Sequence, residues 1–190
     1  MFNSLWQQWI PPLSIEQLTD CSNNPNLRYH NFGCNGGNLQ ITMWYIARYG
    51  LVSQSNYPLN NLTYMTGQSQ PCISTNAQTF KIEGWYSPQT PNCSFQMALL
   101  GYGYPVTATV FANNTIFMNY GSGIISGCPA TTRSMLDHAV LMVGYKKNGT
   151  NGSYLKIKNS WGTSWGEEGY FKISMFNNEC GICFNSVSSY

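Results

Sequence analysis

The chain has 190 residues, 43% of them hydrophobic, enough to bury a substantial core in one domain or two small lobes. Only 8% are charged, and they balance to a formal +2, so no basic stripe is available for a phosphate backbone. No apolar run approaches the ~20 residues of a membrane helix, so the reading is no nucleic acid and no membrane.

In chain order, Met1 to Ser14 has neither a positive flank nor a clean apolar stretch and does not read as a secretory signal. Ser14 to Cys21 reads as a short helix. Gly37 to Gly50 is a clearer one, with Leu39, Met43, Ile46 and Ala47 at helical spacing and Gly50 placed as its C-terminal cap. A long polar connection follows, from Ser53 to Thr79. Ser94 is an N-cap candidate for a helix running through Leu100, with Gly101 ending it. Beyond it, Val106–Phe111, Ala139–Tyr145, Tyr154–Lys158 and Tyr170–Ser174 are β-prone runs parted by Gly, Asn and Pro. A helical first half and a strand-rich second half read as α+β with two lobes, residues 1–85 and 86–190, changing near Lys81–Trp85.

The second half permits a derivation. Asn148-Gly149 is the strongest hairpin signal, and as a two-residue loop it opposes Val140 to Ile157, Met142 to Leu155 and His138 to Asn159. Asn151-Gly152 is the competing turn and breaks that register. A histidine beside an amide has a chemical use. The carbonyl fixes the tautomer and ring angle of a neutral imidazole, leaving its other nitrogen to take a proton from a nucleophile. Without further signal, the commoner role of such a His is a hydrogen-bonded core residue. Asp137 is either a second orienter of the ring or a solvated residue at a strand start. His30 has no comparable partner and reads as structural.

Seven cysteines, Cys21, Cys34, Cys72, Cys93, Cys128, Cys180 and Cys183, are dispersed, and Cys180/Cys183 lack the second pair or His of a zinc site. They read as disulfides formed in an oxidising compartment, with at least one thiol left over. Asn-x-Ser/Thr acceptors stand at Asn61, Asn92, Asn113, Asn148 and Asn151, against ~3–4 expected by chance in so Asn-rich a chain.

The stretch after Asn159 raises the weight of the His–Asn pair. Asn-Ser-Trp-Gly-Thr-Ser-Trp-Gly-Glu-Glu-Gly-Tyr-Phe at 159–171 resembles the asparagine-tryptophan signature of papain-like cysteine peptidases. Asp-His-Ala-Val-Leu-Met-Val-Gly-Tyr at 137–145 resembles their histidine signature. Cys-Asn-Gly-Gly at 34–37, preceded by Leu-Ser-Ile-Glu-Gln-Leu-Thr-Asp-Cys at 13–21, resembles the stretch leading into their substrate cleft; Ser-Gly-Ile at 122–124 and Cys-Gly-Ile at 180–182 fit too. The matches keep family order across nearly the whole chain.

The resemblance implies a papain-like two-lobe fold: a helical left lobe, truncated at its N-terminus, and an antiparallel, barrel-like right lobe. It makes His138 the general base, Asn159 its orienter and Trp161 the shield of their contact. Gly36 and Gly37 would line the cleft, where a glycine backbone can pair with an extended peptide. Leu39, Thr109, Ala139 and Asn185 would surround the main side-chain pocket, and Trp165 the primed side. It also implies the disulfides Cys21–Cys72 and Cys128–Cys180. Cys34 normally pairs with a cysteine just before the nucleophile, and Cys93 and Cys183 are extra, their pairing open. No metal or organic cofactor is implied. The partner is a peptide or protein substrate, and the destination is the secretory pathway, lysosomal, vacuolar or extracellular.

One part is missing. The family's nucleophile lies in a Gln-…-Cys-Gly-Ser-Cys-Trp segment ~130–150 residues before the His, and counting back from His138 meets no cysteine. Ser4-Leu5-Trp6 echoes it only faintly. The expectation is that Met1 lies within the family's central helix, after the catalytic Cys, with Trp6, Trp9 and Ile10 covering part of the gap. The chain alone is then inactive, and a separate N-terminal fragment is one source of the thiol. The alternative is a non-catalytic papain-fold protein that binds peptides.

Overall fold

The computed structural model describes residues 2–3, 8–88, 93–147 and 152–190. They fall into two compact units, residues 1–85 with Tyr190, and residues 86–189.

In the first unit, Phe2–Asn3 (β1) pairs antiparallel with Gln8–Trp9 (β2), where the resemblance implied the end of a helix. Trp6 lies outside the described residues. Helix α1 (Ile15–Cys21) is capped by buried Ser14, whose Oγ accepts from the Gln17 amide at 2.9 Å and donates to the Tyr57 carbonyl at 2.7 Å. Its inward face is polar, and each group has a partner. Gln17 Oε1 accepts from the Val52 amide, Asp20 accepts from Tyr57 Oη and the Gln70 amide, and Glu16 bonds Thr63. Burial costs a polar group little only when it is bonded in this way. Burial nevertheless lifts the Asp20 carboxyl above its ordinary value, against the opposing pull of its Gln70 and Tyr57 bonds.

Helix α2 (Leu39–Tyr49) is capped by Asn38, whose carbonyl accepts from the Gln40 and Ile41 amides, and ends at Gly50 with φ +77°. Cys21, Tyr45, Leu51, Val52 and Tyr57 form the core, and Cys21–Cys72 ties the end of α1 to the far part of the long polar connection, 51 residues on. Within the polar connection lies a further helix, α3 (Asn61–Thr66), between an Asn60 cap and left-handed Gly67. Only those caps announce it, since Leu62, Tyr64 and Met65 are all exposed and leave no apolar stripe.

After a two-residue strand, β3 (Trp85–Tyr86), the second unit holds helix α4 (Cys93–Gly101) and a mixed, mainly antiparallel sheet. Its strands β4 (Val106–Val110), β5 (Ile124–Ile125), β6 (His138–Lys146), β7 (Tyr154–Lys158), β8 (Tyr170–Ser174) and β9 (Ser186–Ser189) run in the order β9-β4-β6-β7-β8-β5. All described pairs are antiparallel except β5–β8. A short helix, α5 (Thr115–Met118), capped by Asn114, follows β4. Val106, Ala108, Val110, Met142, Leu155, Ile157, Phe171 and Ile173 alternate inward and are fully buried. Strand β9 carries Ser at 186, 188 and 189 and so lacks the expected apolar alternation; Gln96 Nε2 donates to Ser186 Oγ and Ser188 Oγ to the Pro105 carbonyl.

The β6–β7 register differs from the expected one by two residues: Met142 faces Ile157, not Leu155. A bulge between Met142 and Gly144 takes up one residue, and Lys146 pairs with Tyr154, so residues 147–153 lie between the paired ends. Asn148-Gly149 itself lies outside the described residues, as do Asn92 and Asn151. On the His138 side of the bulge the shift of two keeps each side chain on its expected face, whereas beyond it the shift is three and the faces are exchanged.

Candidate active site

His138 opens β6 opposite Val110 of β4, and Asn159 follows the last residue of β7. Continuing the Met142–Ile157 register would oppose Val140 to Asn159, so His138 and Asn159 are same-face diagonal neighbours, not directly opposed. Their side chains still meet, with His138 Nε2 at 2.7 Å from Asn159 Oδ1. The same Oδ1 accepts the Ser160 backbone N–H at 2.8 Å. Because that N–H can only donate, the asparagine atom there is oxygen, and Nε2 is the nitrogen that carries the proton. Nδ1 is left as the acceptor of a neutral ring.

Asn159 is buried, and its backbone N–H donates to the Gly169 carbonyl at 2.9 Å; its Nδ2 has no hydrogen-bond partner among the described residues. The Trp161 ring lies 4.9 Å from the imidazole, centroid to centroid, tilted by 34°, covering the pair on one side. Shielding from water strengthens the hydrogen bond beneath it.

Phe117 of α5, fully buried, is the hub of this aromatic wall: it meets Trp161 edge-on at 5.5 Å, stacks on Trp165 at 5.4 Å and meets Phe171 at 5.0 Å. Trp165 Nε1 donates to the Met118 carbonyl. The sequence offers no sign of Phe117's part, because α5 is too short to show a period.

Asp137 does not reach the ring. Its carboxylate accepts the Ala112 and Asn113 amides at 2.7 and 3.1 Å, holding the turn after β4. Glu167, within the Trp-Gly-Glu-Glu-Gly stretch, is a second such staple. It accepts from Tyr120 Oη, the Gly123 amide and Lys172 Nζ, joining the Ser-Gly-Ile loop to the Asn-Trp segment. The Lys172 bond, foremost, holds the Glu167 carboxyl below its ordinary value, and burial pushes the Tyr120 hydroxyl up to about 12.

Thr109 pairs with Ala139, and the Thr109 amide donates to the Asn185 carbonyl at 3.0 Å, so these three residues come together in the second unit. In the first unit, Gly36 has φ +104°, a conformation that favours glycine. Gly37 is there for space, since a Cβ would stand 2.6 Å from Asn31 Oδ1. Asn31, a buried residue that sequence reasoning passed over, receives the Asn38 amide and donates to Ser22 and Thr42, fixing the Cys-Asn-Gly-Gly loop and the start of α2, where Leu39 sits. His30 packs edge-on against Phe32. Cys128 joins Cys180, Cys93 joins Cys183, and Cys34 is the free, exposed thiol. A cavity of about 390 Å³ lies along Cys128–Thr131 and Asn177–Cys180 and does not include His138 or Asn159 among its lining residues.

Comparison with known proteins settles the ancestry. Residues 6–190 match the model of the papain family of cysteine proteases. The chain belongs to that family. It is 35% identical over 182 residues to digestive cysteine proteinase 1 of Homarus americanus, covering 92% of this chain and 53% of that protein. It is 33% identical over 180 residues to cathepsin L of Sarcophaga peregrina, covering 94% and 50%. This papain-family chain thus spans about half the length of the curated relatives it matches. A Carica candamarcensis cysteine protease, solved in complex with E-64, superposes with a TM-score of 0.79 at 30% identity, over 98% of this chain and 81% of the other. The papain-like α+β fold accounts for both units.

Proposed function

We propose that the chain is the histidine- and asparagine-bearing part of a papain-like endopeptidase acting on peptide or protein substrates, with the nucleophilic thiol supplied by residues outside these 190. One observation carries the reading: Nε2 of His138 is committed as donor to Asn159 beneath Trp161, leaving Nδ1 as a poised proton acceptor.

In the proposed reaction, Nδ1 takes the proton of a thiol whose sulfur attacks the scissile carbonyl carbon. The imidazolium then gives that proton to the departing amine, leaving a thioester, and the ring activates water to release the acid. Asn159 keeps the imidazole aligned in both charge states, because its carbonyl accepts from Nε2–H throughout. Gly36 and Gly37 offer backbone to an extended peptide, and Thr109, Ala139 and Asn185 receive a side chain. Residues 1–85 and 86–190 act as the two lobes of one peptidase domain. The three disulfides support folding in the secretory pathway.

Six of the seven cysteines are bridged, and the seventh, Cys34, lies in the Cys-Asn-Gly-Gly loop. The 190 residues alone are therefore expected to show no turnover of a fluorogenic dipeptide substrate. Turnover that a thiol alkylator blocks would overturn this. Upstream coding sequence is the companion test: an in-frame Gln-…-Cys-Gly-Ser-Cys-Trp supports the peptidase, whereas a stop codon or unrelated residues favour a non-catalytic peptide-binding protein.

A further inference from the structure

Composition alone suggested no basic stripe, because the chain is poor in charge, but the strands gather what basic residues there are: five of the nine, Lys146, Lys147, Lys156, Lys158 and Lys172, fall on β6, β7, β8 and the residue after β6. Register places four of them on one face. Along β7 and β8 the buried Leu155, Ile157, Phe171 and Ile173 alternate with outward Tyr154, Lys156, Lys158, Tyr170 and Lys172. Lys156 stands directly opposite Lys172, and Lys146 opposite outward Tyr154. Such a lattice repeats at about 5 Å across strands and about 7 Å along them.

Directly opposed like charges work against a sheet. Among the described residues this face has one ion pair, Lys172 with Glu167; Lys146, Lys156 and Lys158 have no carboxylate partner. Nor are the lysines loosely arrayed. The Lys156 ammonium lies 5.1 Å from the Tyr170 ring centroid, and that of Lys172 lies 5.6 Å from Tyr154. The two diagonals hold the ammonium groups over the rings, so a ligand that meets them there meets charges already ordered.

We infer that this face of β6–β7–β8 is a docking surface for a linear sulfated polysaccharide, whose closely repeated strong acids match a lysine lattice in which only Lys172 has a carboxylate partner among the described residues. Two other polyanions fit less well. A membrane surface draws on apolar insertion beside charge; the outward positions of β7 and β8 include no exposed Leu, Ile, Phe, Met or Trp, and β6 adds only half-buried Leu141 opposite Lys158 and exposed Val143 at the bulge. Single-stranded nucleic acid draws on free aromatic faces for base stacking, and both rings are already capped by lysines.

The test is retention of the 190-residue chain on immobilised heparin, with affinity measured against a heparin oligosaccharide at about 0.15 M salt. Retention lost at high salt is expected, and Lys156→Gln/Lys158→Gln should bind about 30-fold more weakly, taking two lysine contacts at the strength found at other polyanionic surfaces. The charge-matched control Arg28→Gln/Arg48→Gln, exposed in the first unit, should bind as the parent does. Near-ultraviolet circular dichroism establishes that both variants are folded. Equal weakening by the two double variants would overturn the inference, leaving only net charge. So would binding to phosphatidylserine vesicles that heparin does not displace.

Discussion

Replacing Asn159 by Ala tests the central hydrogen bond, because opposing effects can be weighed from the structure. Oδ1 accepts two bonds, from His138 Nε2 at 2.7 Å and from the Ser160 amide at 2.8 Å. Removing it costs about 1 kcal/mol net for each, and more if those donors find no water. Against this, Nδ2 is buried without a partner among the described residues, a burden of about 1–2 kcal/mol that the alanine variant sheds. The net destabilisation expected is therefore about 0–1 kcal/mol, much less than for a fully satisfied buried asparagine. The effect on His138 is larger in kind: a bond of about 1–1.5 kcal/mol that selects the Nε2–H tautomer is worth roughly tenfold in the tautomer ratio. Urea unfolding measures the first quantity. Long-range nitrogen–proton NMR of the imidazole measures the second. A protonated Nε2 is expected in the parent and a mixture of tautomers in the variant. If the parent ring instead carries its proton on Nδ1, or if the variant keeps the parental pattern, Asn159 does not orient the base.

Three further outcomes follow from the same geometry. The Glu167 carboxyl is held low in the folded state, so its stabilisation is present above the ordinary carboxylate range and is lost as pH falls through the folded value. Glu167→Gln should flatten the acid limb of a stability-against-pH curve, and an unchanged limb would contradict the staple. Tyr120 is pushed up to about 12, so its contribution is intact below about pH 10 and vanishes as pH rises toward 12. Tyr120→Phe should lose about 2 kcal/mol less stability than the parent over that alkaline span, read by urea titration at each pH. Gly37→Ala drives a Cβ to 2.6 Å from Asn31 Oδ1, a side chain pinned by three hydrogen bonds, and should cost about 1–3 kcal/mol. In a double-mutant cycle, Asn31→Ala should recover part of that cost, and strict additivity would exclude the clash.

The features legible in the sequence were those with a period or a chemistry of their own. Strands β4, β7 and β8 show themselves by alternation, and α2 by its apolar spacing and terminal glycine. α3, α5 and β9 are hidden because six residues, four residues and a run of serines give no period to read; capping asparagines and buried serine hydroxyls hold them instead. The His138–Asn159 pair was reached through a turn that did not set the register. The pairing survived because face parity tolerates a shift of two, and because side chains can meet diagonally. Phe117, Asn31 and Glu167 were passed over for a different reason. Each acts by filling or stapling a place that exists only once distant segments have met.

The two bridges of the second unit have a topological consequence. The Cys128–Cys180 ring is nested within the Cys93–Cys183 ring, so a peptide bond severed anywhere from 128 to 180 cannot divide the molecule. A cut within residues 147–153 would put His138 and Asn159 on different polypeptides, yet both would stay in one covalent particle. A proteolytically matured, two-chain form of this protein could therefore keep its base and its orienter together, and only a reductant would part them.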